Sequence, residues 1–163
     1  MADGLRGAVL TVSDGVFRGV REDQSGDLLT DLLSSEGFEV ARRVVPDEQA
    51  DISAALRQLA ETASVVLTTG GTGLAKRDVT PEATLDVLDR MIPGIPEALR
   101  ADAISRTPHG LLSRSTAGTI GATLIVNLPG SPGGCRDGFE ILRPALKHAI
   151  ALLADAPTAH RQT

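Results

Sequence analysis

The segment Thr69-Gly70-Gly71-Thr72-Gly73-Leu74-Ala75-Lys76-Arg77-Asp78 gathers residue types that handle phosphate. The glycines at 70, 71 and 73 permit positive φ and let another molecule approach the backbone closely. Their N–H groups, with the Thr72 hydroxyl, can face an anion. Lys76 and Arg77 either offset negative charge or are simply solvated. Asp78 is a hard oxygen donor of the kind Mg²⁺ takes, and such a metal would bridge to phosphate. Thr80-Pro81 then reads as a helix start, with Thr80 as N-cap and Pro81 as the first helical residue. A helix N-terminus favours an anion. The spacing is neither that of the P-loop nor that of the dinucleotide fingerprint. Glycines alone would fit an unliganded strand-to-helix turn. The added Lys-Arg-Asp and the helix start favour a phosphate site.

Further candidates stand where other strands should end. Ser13 and Asp14 close a first strand and either cap a turn or face the mouth of a sheet. Asp47 follows a second strand and either caps the next helix or joins Asp78 in positioning Mg²⁺ near a triphosphate. The segment from Thr107 to Gly121 is either a plain loop or a binding segment in which Arg114 offers a planar fork to a phosphate. Gly130 and Ser131 lie in a second glycine corner, Pro129-Gly130-Ser131-Pro132-Gly133-Gly134.

The elements that must position these residues alternate strand and helix. Strands are expected at Arg6 to Val12, Glu39 to Val45, from Val65 and at Thr123 to Leu128. Ser25 reads as the N-cap of a helix whose Leu28, Leu29, Leu32 and Leu33 share a face. Ile52, Ala55, Leu56 and Leu59 stripe a helix from about Glu48 to Glu61. A helix from Pro81 to about Leu88 turns Leu85 and Leu88 inward, and another runs from Pro96 to about Ser105. Phe139, Leu142, Leu146, Ala149, Ile150 and Leu153 keep helical spacing, with a kink or restart at Pro144. The first four residues are expected to fray and the tail from Ala154 to be loose. The alternation predicts an α/β/α sandwich with a mainly parallel sheet. The length of 163 residues fits one domain, residues 1–163.

Composition excludes several classes. A net charge of −5 argues against a nucleic-acid surface, which is usually basic. Three Phe with no Tyr or Trp argue against stacking on single strands, so a heterocycle would rest on backbone amides, aliphatic walls and polar groups. The lone Cys135 excludes an internal disulfide and fits a reducing cytoplasm. No nearby His activates it, so it reads as a buried or incidental thiol. His109, His148 and His160 share no metal-ligand spacing. No apolar run approaches a membrane span and no targeting leader is apparent, so no membrane association is expected.

The string Thr68-Thr69-Gly70-Gly71-Thr72-Gly73 with Arg77-Asp78-Val79-Thr80-Pro81-Glu82 resembles the MogA/MoaB family of molybdenum-cofactor biosynthesis proteins. Ser13-Asp14 with Asp23-Gln24-Ser25-Gly26, Val45-Pro46-Asp47-Glu48-Gln49, and Leu128-Pro129-Gly130-Ser131-Pro132 look like its other motifs, in the right order. Gly15, Arg21 and Asp27 depart from it, standing for an Arg, an aromatic and a Pro. The resemblance implies about five strands, one of them antiparallel, and a homotrimer. It implies Mg²⁺-dependent transfer of AMP from ATP to the terminal phosphate of molybdopterin, releasing pyrophosphate. Gly70, Gly71, Thr72 and Gly73 would then cradle nucleotide phosphates, and Asp47 and Asp78 would be catalytic through Mg²⁺. Ser13, Asp14, Ser113 and Arg114 would contact pterin or phosphate, and Gly130 and Ser131 would close the nucleotide side. A downstream molybdenum-insertion protein is a possible partner. Two alternatives stay open: a MoaB-like protein that binds without efficient transfer, and a trimeric scaffold.

Overall fold

The computed structural model describes residues 4–159. β1 (Arg6–Val12), β2 (Glu39–Val45), β3 (Val65–Thr69) and β6 (Thr123–Leu128) run parallel, in the order β2-β1-β3-β6. β3 and β6 are buried along their whole length, as their unbroken apolar runs require when both faces are covered. Beyond β6 the sheet continues through β5 (Ala117–Ile120) and the two-residue β4 (Arg90–Met91), giving six strands. β5 pairs antiparallel with both β6 and β4, so it alone runs against the rest. This is the single reversed strand that the resemblance implies, in a sheet one strand wider than expected.

The pleat sorts alternate residues into two cores. Val9, Val65, Leu67, Leu124, Val126 and Leu128 face α2 (Gln24–Ser35) and α6 (Pro132–Ala159), where Leu29, Leu33, Phe139 and Leu146 are buried. Ala8, Leu10, Val66 and Ile125 face α3 (Gln49–Ala60) and α4 (Thr80–Leu85), against Ile52, Leu56 and Ala83. Each fully buried Leu or Phe contributes about 1.5–3 kcal/mol relative to exposure. The result is the three-layer α/β/α sandwich.

A short helix, α1 (Asp14–Phe17), follows β1 with Ser13 as its N-cap. Several local expectations are corrected. α2 is capped by Asp23, whose Oδ1 accepts from the Gly26 N–H at 3.0 Å, while Ser25 lies buried inside the first turn. α3 takes Glu48 as its N-cap, without a side-chain cap bond, because the Asp47 carboxylate bonds elsewhere. α4 takes Val79 as N-cap and stops at Leu85, which is exposed; Leu88 packs inward as expected. α5 (Gly94–Arg106) starts earlier than Pro96 and buries only Pro96. The Thr107–Gly121 segment contains a 3₁₀ turn (Pro108–Leu112) and then β5, so it is not wholly a loop. Pro144 lies inside one continuous α6, on its exposed side, and forces no restart; this helix continues past Ala154 to Ala159. The expected fraying at residues 1–3, and His160, lie outside the described residues. Among those described, no helix is long and apolar enough to cross a membrane.

Candidate functional site

The strand order reverses between β1 and β3: one connection leaves β1 towards β2, the next returns past β1 to β3. Ligands of open α/β sheets bind at such a point, beyond the carboxyl ends of the strands. Here it is a cavity of about 540 Å³, lined among others by Ser13, Asp47, Gly70, Gly71, Asp78 and Gly130.

The glycine corner is shaped by contact. Gly70 has φ +98°, and a Cβ there would lie 2.3 Å from the Val12 carbonyl oxygen. β1 and β3 can therefore end this close together only with glycine at 70. Gly130 closes on the same point, its missing Cβ 3.4 Å from Gly70 Cα. Thr80, expected as an N-cap, instead pins the corner. Its hydroxyl donates to the Gly70 carbonyl at 2.9 Å and its N–H to the Gly71 carbonyl at 3.1 Å.

Both acids stand against this loop. Asp47 Oδ1 lies 3.4 Å from where a Gly71 Cβ would be, and Asp78 Oδ2 lies 2.9 Å from where a Gly73 Cβ would be. One oxygen of each is used locally: Asp47 Oδ2 accepts from the Asp14 N–H at 2.9 Å, and Asp78 Oδ2 from the Ala75 N–H at 3.1 Å. The other oxygen of each takes no hydrogen bond from a described residue. Burial pushes the Asp47 carboxyl above its ordinary value, and the Asp14 and Asp78 carboxylates push the same way against the Asp14 N–H bond. Glu22 and Asp23 also line this cavity, with Arg21 as the cation among its lining residues. A polyanion entering so acidic a space needs a cation beside it. Among the described residues no group of three or more His, Cys, Asp or Glu could hold a metal by itself. Two carboxylates suit Mg²⁺ nonetheless, because it keeps waters and takes substrate phosphates as its remaining ligands.

Asp14 has a different place from the one expected. It lines neither principal cavity and accepts a fork from Arg77, at 2.6 Å from Nε and 3.1 Å from the second nitrogen. Arg77 first, then the Asp47 N–H, hold its carboxyl down at about 2. Arg77 also reaches Glu48 at 2.9 Å, so this exposed guanidinium is paired with two acids. Arg114 likewise uses its fork within the chain, on the Gly73 carbonyl at 2.8 Å, the Asp78 carbonyl at 2.6 Å and the Glu82 carboxylate.

Thr72, Gly73, Ser113 and Ser131 line a second cavity of about 430 Å³ on the other side of the loop. Leu99, Leu112 and Pro129 give it the aliphatic walls expected for a heterocycle. Apart from Asp14 and Arg114, the sequence-derived site residues divide between two neighbouring cavities on either side of Gly71-Thr72-Gly73. Ser113 reaches this edge because β5 is reversed: the chain entering β5 arrives where β6 leaves. Cys135 is buried and donates to the Pro129 carbonyl at 3.0 Å, with burial pushing its thiol up to about 11. It is a packing residue under the second corner. Sequence reasoning missed Asp23 as a structural acid, held by the Thr11 hydroxyl at 2.7 Å and by Arg42 at 2.6 Å. Its signal was a carboxylate two residues before the Ser taken as the cap.

Residues 8–148 match the family model described as the probable molybdopterin binding domain. The molybdopterin adenylyltransferase of Helicobacter pylori strain J99 is 38% identical over 150 residues, covering 89% of this chain and 85% of that protein. The molybdenum cofactor synthesis protein cinnamon of Drosophila melanogaster is 38% identical over 159 residues; this chain spans only 26% of its length. The crystal structure of the molybdopterin biosynthesis enzyme MoaB from Thermus thermophilus superposes with a TM-score of 0.85 at 47% identity, covering 91% of this chain and 96% of that one.

Proposed function

This chain belongs to the family of the probable molybdopterin binding domain, and from that premise we propose that it is a molybdopterin adenylyltransferase of molybdenum-cofactor biosynthesis. It moves AMP from ATP to the terminal phosphate of molybdopterin and releases pyrophosphate. The observation that carries this reading is the placing of Asp47 against Gly71 and Asp78 against Gly73. A scaffold has no use for two acids beside a glycine corner, each with one oxygen that no described residue engages.

In this reading the first cavity receives the nucleotide. Gly70, Gly71 and Gly130 let the phosphates approach the backbone, and Asp47 and Asp78 hold Mg²⁺. The bound ion would neutralise phosphate charge in a space that is otherwise acidic. The second cavity, with Ser113, Ser131 and its aliphatic walls, receives the pterin. The Gly71-Thr72-Gly73 loop between them is where the pterin's phosphate meets the α-phosphorus of ATP. Phosphoryl chemistry of this kind needs alignment and charge neutralisation rather than a protein nucleophile. The buried Cys135 thiol is consistent with that.

The test is to incubate the protein with molybdopterin, ATP and Mg²⁺ and assay for adenylylated product and pyrophosphate. Asp78→Ala should keep the fold and lose nearly all turnover; full turnover by that variant would sink its role. The second reading is a protein that binds pterin or nucleotide without efficient transfer, for which the same assay gives binding and no product. The homotrimer belongs to the proposal too. Exposed Leu85, Met91 and Leu111 are side chains a subunit contact would cover, and light scattering tests it. The docking of a molybdenum-insertion protein and a cytoplasmic location are further parts of this reading.

A further inference from the structure

Arg114 joins the two cavities, and we propose that it is a positioning residue through which occupancy of the second cavity fixes the Asp78 carboxylate in the first. The inference rests on the two-substrate reading above and adds to it a coupling between the sites. Ser113 and Ser115, on either side of Arg114, line the second cavity, whereas Asp78 lines the first. Between them the Arg114 N–H donates to the Thr72 carbonyl at 3.0 Å, Nε to the Gly73 carbonyl at 2.8 Å, and the guanidinium to the Asp78 carbonyl at 2.6 Å. The loop that carries Asp78 is therefore tied at three points to a strap that a second-cavity ligand would touch.

Glu82 anchors the fork from the far side. It pairs with Arg114, while its Oε2 is buried without a partner among the described residues. Burial pushes the Glu82 carboxyl up, yet Arg114 and the residue's own backbone N–H hold it below its ordinary value. Removing the guanidinium takes away the charge partner of that acid in the first turn of the helix that follows Asp78. A lysine cannot replace it, because one ammonium does not span two carbonyls and a carboxylate in a plane.

The experiment measures binding of α,β-methylene-ATP with Mn²⁺ by calorimetry, with and without molybdopterin, in intact protein. The analogue blocks transfer, so binding alone is read. Wild type should bind the nucleotide about tenfold more tightly with molybdopterin present, a coupling of ordinary allosteric size. Arg114→Lys should reduce that factor to about twofold or less, and Glu82→Gln, which preserves shape, should reduce it partway. A merely structural Arg114 would lower the melting temperature and leave the coupling of the folded protein unchanged. Undiminished coupling in folded Arg114→Lys, or in Glu82→Gln should the former not fold, overturns the inference. Wild type that binds both ligands without coupling overturns it while sparing the two-substrate reading. Wild type that binds neither overturns both.

Discussion

Asp14 and Asp47 exchange hydrogen bonds: the Asp14 N–H donates to Asp47 Oδ2 at 2.9 Å, and the Asp47 N–H donates to Asp14 Oδ1 at 3.0 Å. The ends of β1 and β2 are thereby clasped, and one oxygen of Asp47 is fixed while the other stays available. Asp14→Asn keeps an acceptor for the Asp47 N–H but gives up the charge that holds Arg77. Mg²⁺ titration of the transfer rate should show about tenfold weaker apparent affinity, as for other residues that orient a metal ligand. Arg77→Ala should behave alike, since it releases the same acid. An unchanged titration in both variants would remove the clasp from the mechanism.

The clasp also sets an acid limit on stability. Arg77 and the Asp47 N–H depress the Asp14 carboxyl from 3.8 to about 2 in the folded chain. A depressed carboxyl stabilises the fold above its unfolded value, and that contribution is lost as pH falls from there through the folded one. Asp47 acts with the opposite sign: burial raises it, so its contribution favours folding in acid and fades as pH rises through the raised value. Urea denaturation of metal-free protein should show wild type losing stability relative to Asp14→Asn between about pH 4 and pH 2. Parallel curves would show that the pair with Arg77 carries no such linkage.

Gly70→Ala separates steric from conformational cost. The new Cβ would lie 2.3 Å from the Val12 carbonyl oxygen, and φ is +98°. Gly121 has φ +56° with nothing within 4 Å of such a Cβ. Gly121→Ala should cost about 1–2 kcal/mol, the penalty of the left-handed region alone. Gly70→Ala should cost more, about 3–5 kcal/mol, since backbone must also move. Equal denaturation midpoints would mean that β1 and β3 can part at their ends without loss.

Cys135 should be inert in the native protein. Its thiol is buried, engaged with the Pro129 carbonyl and pushed up to about 11. Iodoacetamide at about pH 8 should label it only after unfolding, because the thiolate is the reactive form. Cys135→Ala should retain transfer activity. Fast native labelling followed by inactivation would reopen the nucleophile reading.

What was legible in the sequence is what depends on neighbours along the chain. The apolar runs of β3 and β6, the leucine face of α2 and the stripe of α3 follow from side-chain period, and the structure keeps them. β5 and β4 were illegible because Ala117-Gly118-Thr119-Ile120 and Arg90-Met91 have no such period; pairing with β6 and with each other makes them strands. The caps failed where a side chain had a better distant partner: Thr80 with Gly70 and Asp47 with Asp14. Arg77 and Arg114 were visible as cations near a glycine loop. Their partners Asp14, Glu48 and Glu82 come from other parts of the chain, and spacing carries no trace of that.

The backward course of β5 also shapes the other pole of the molecule. Since its entrance lies at the sheet edge that carries the two cavities, its exit, the Gly121-Ala122 turn into β6, lies at the opposite edge of the sheet. A fluorophore, an affinity handle or a grafted peptide placed there would report on the protein while leaving both of these cavities untouched.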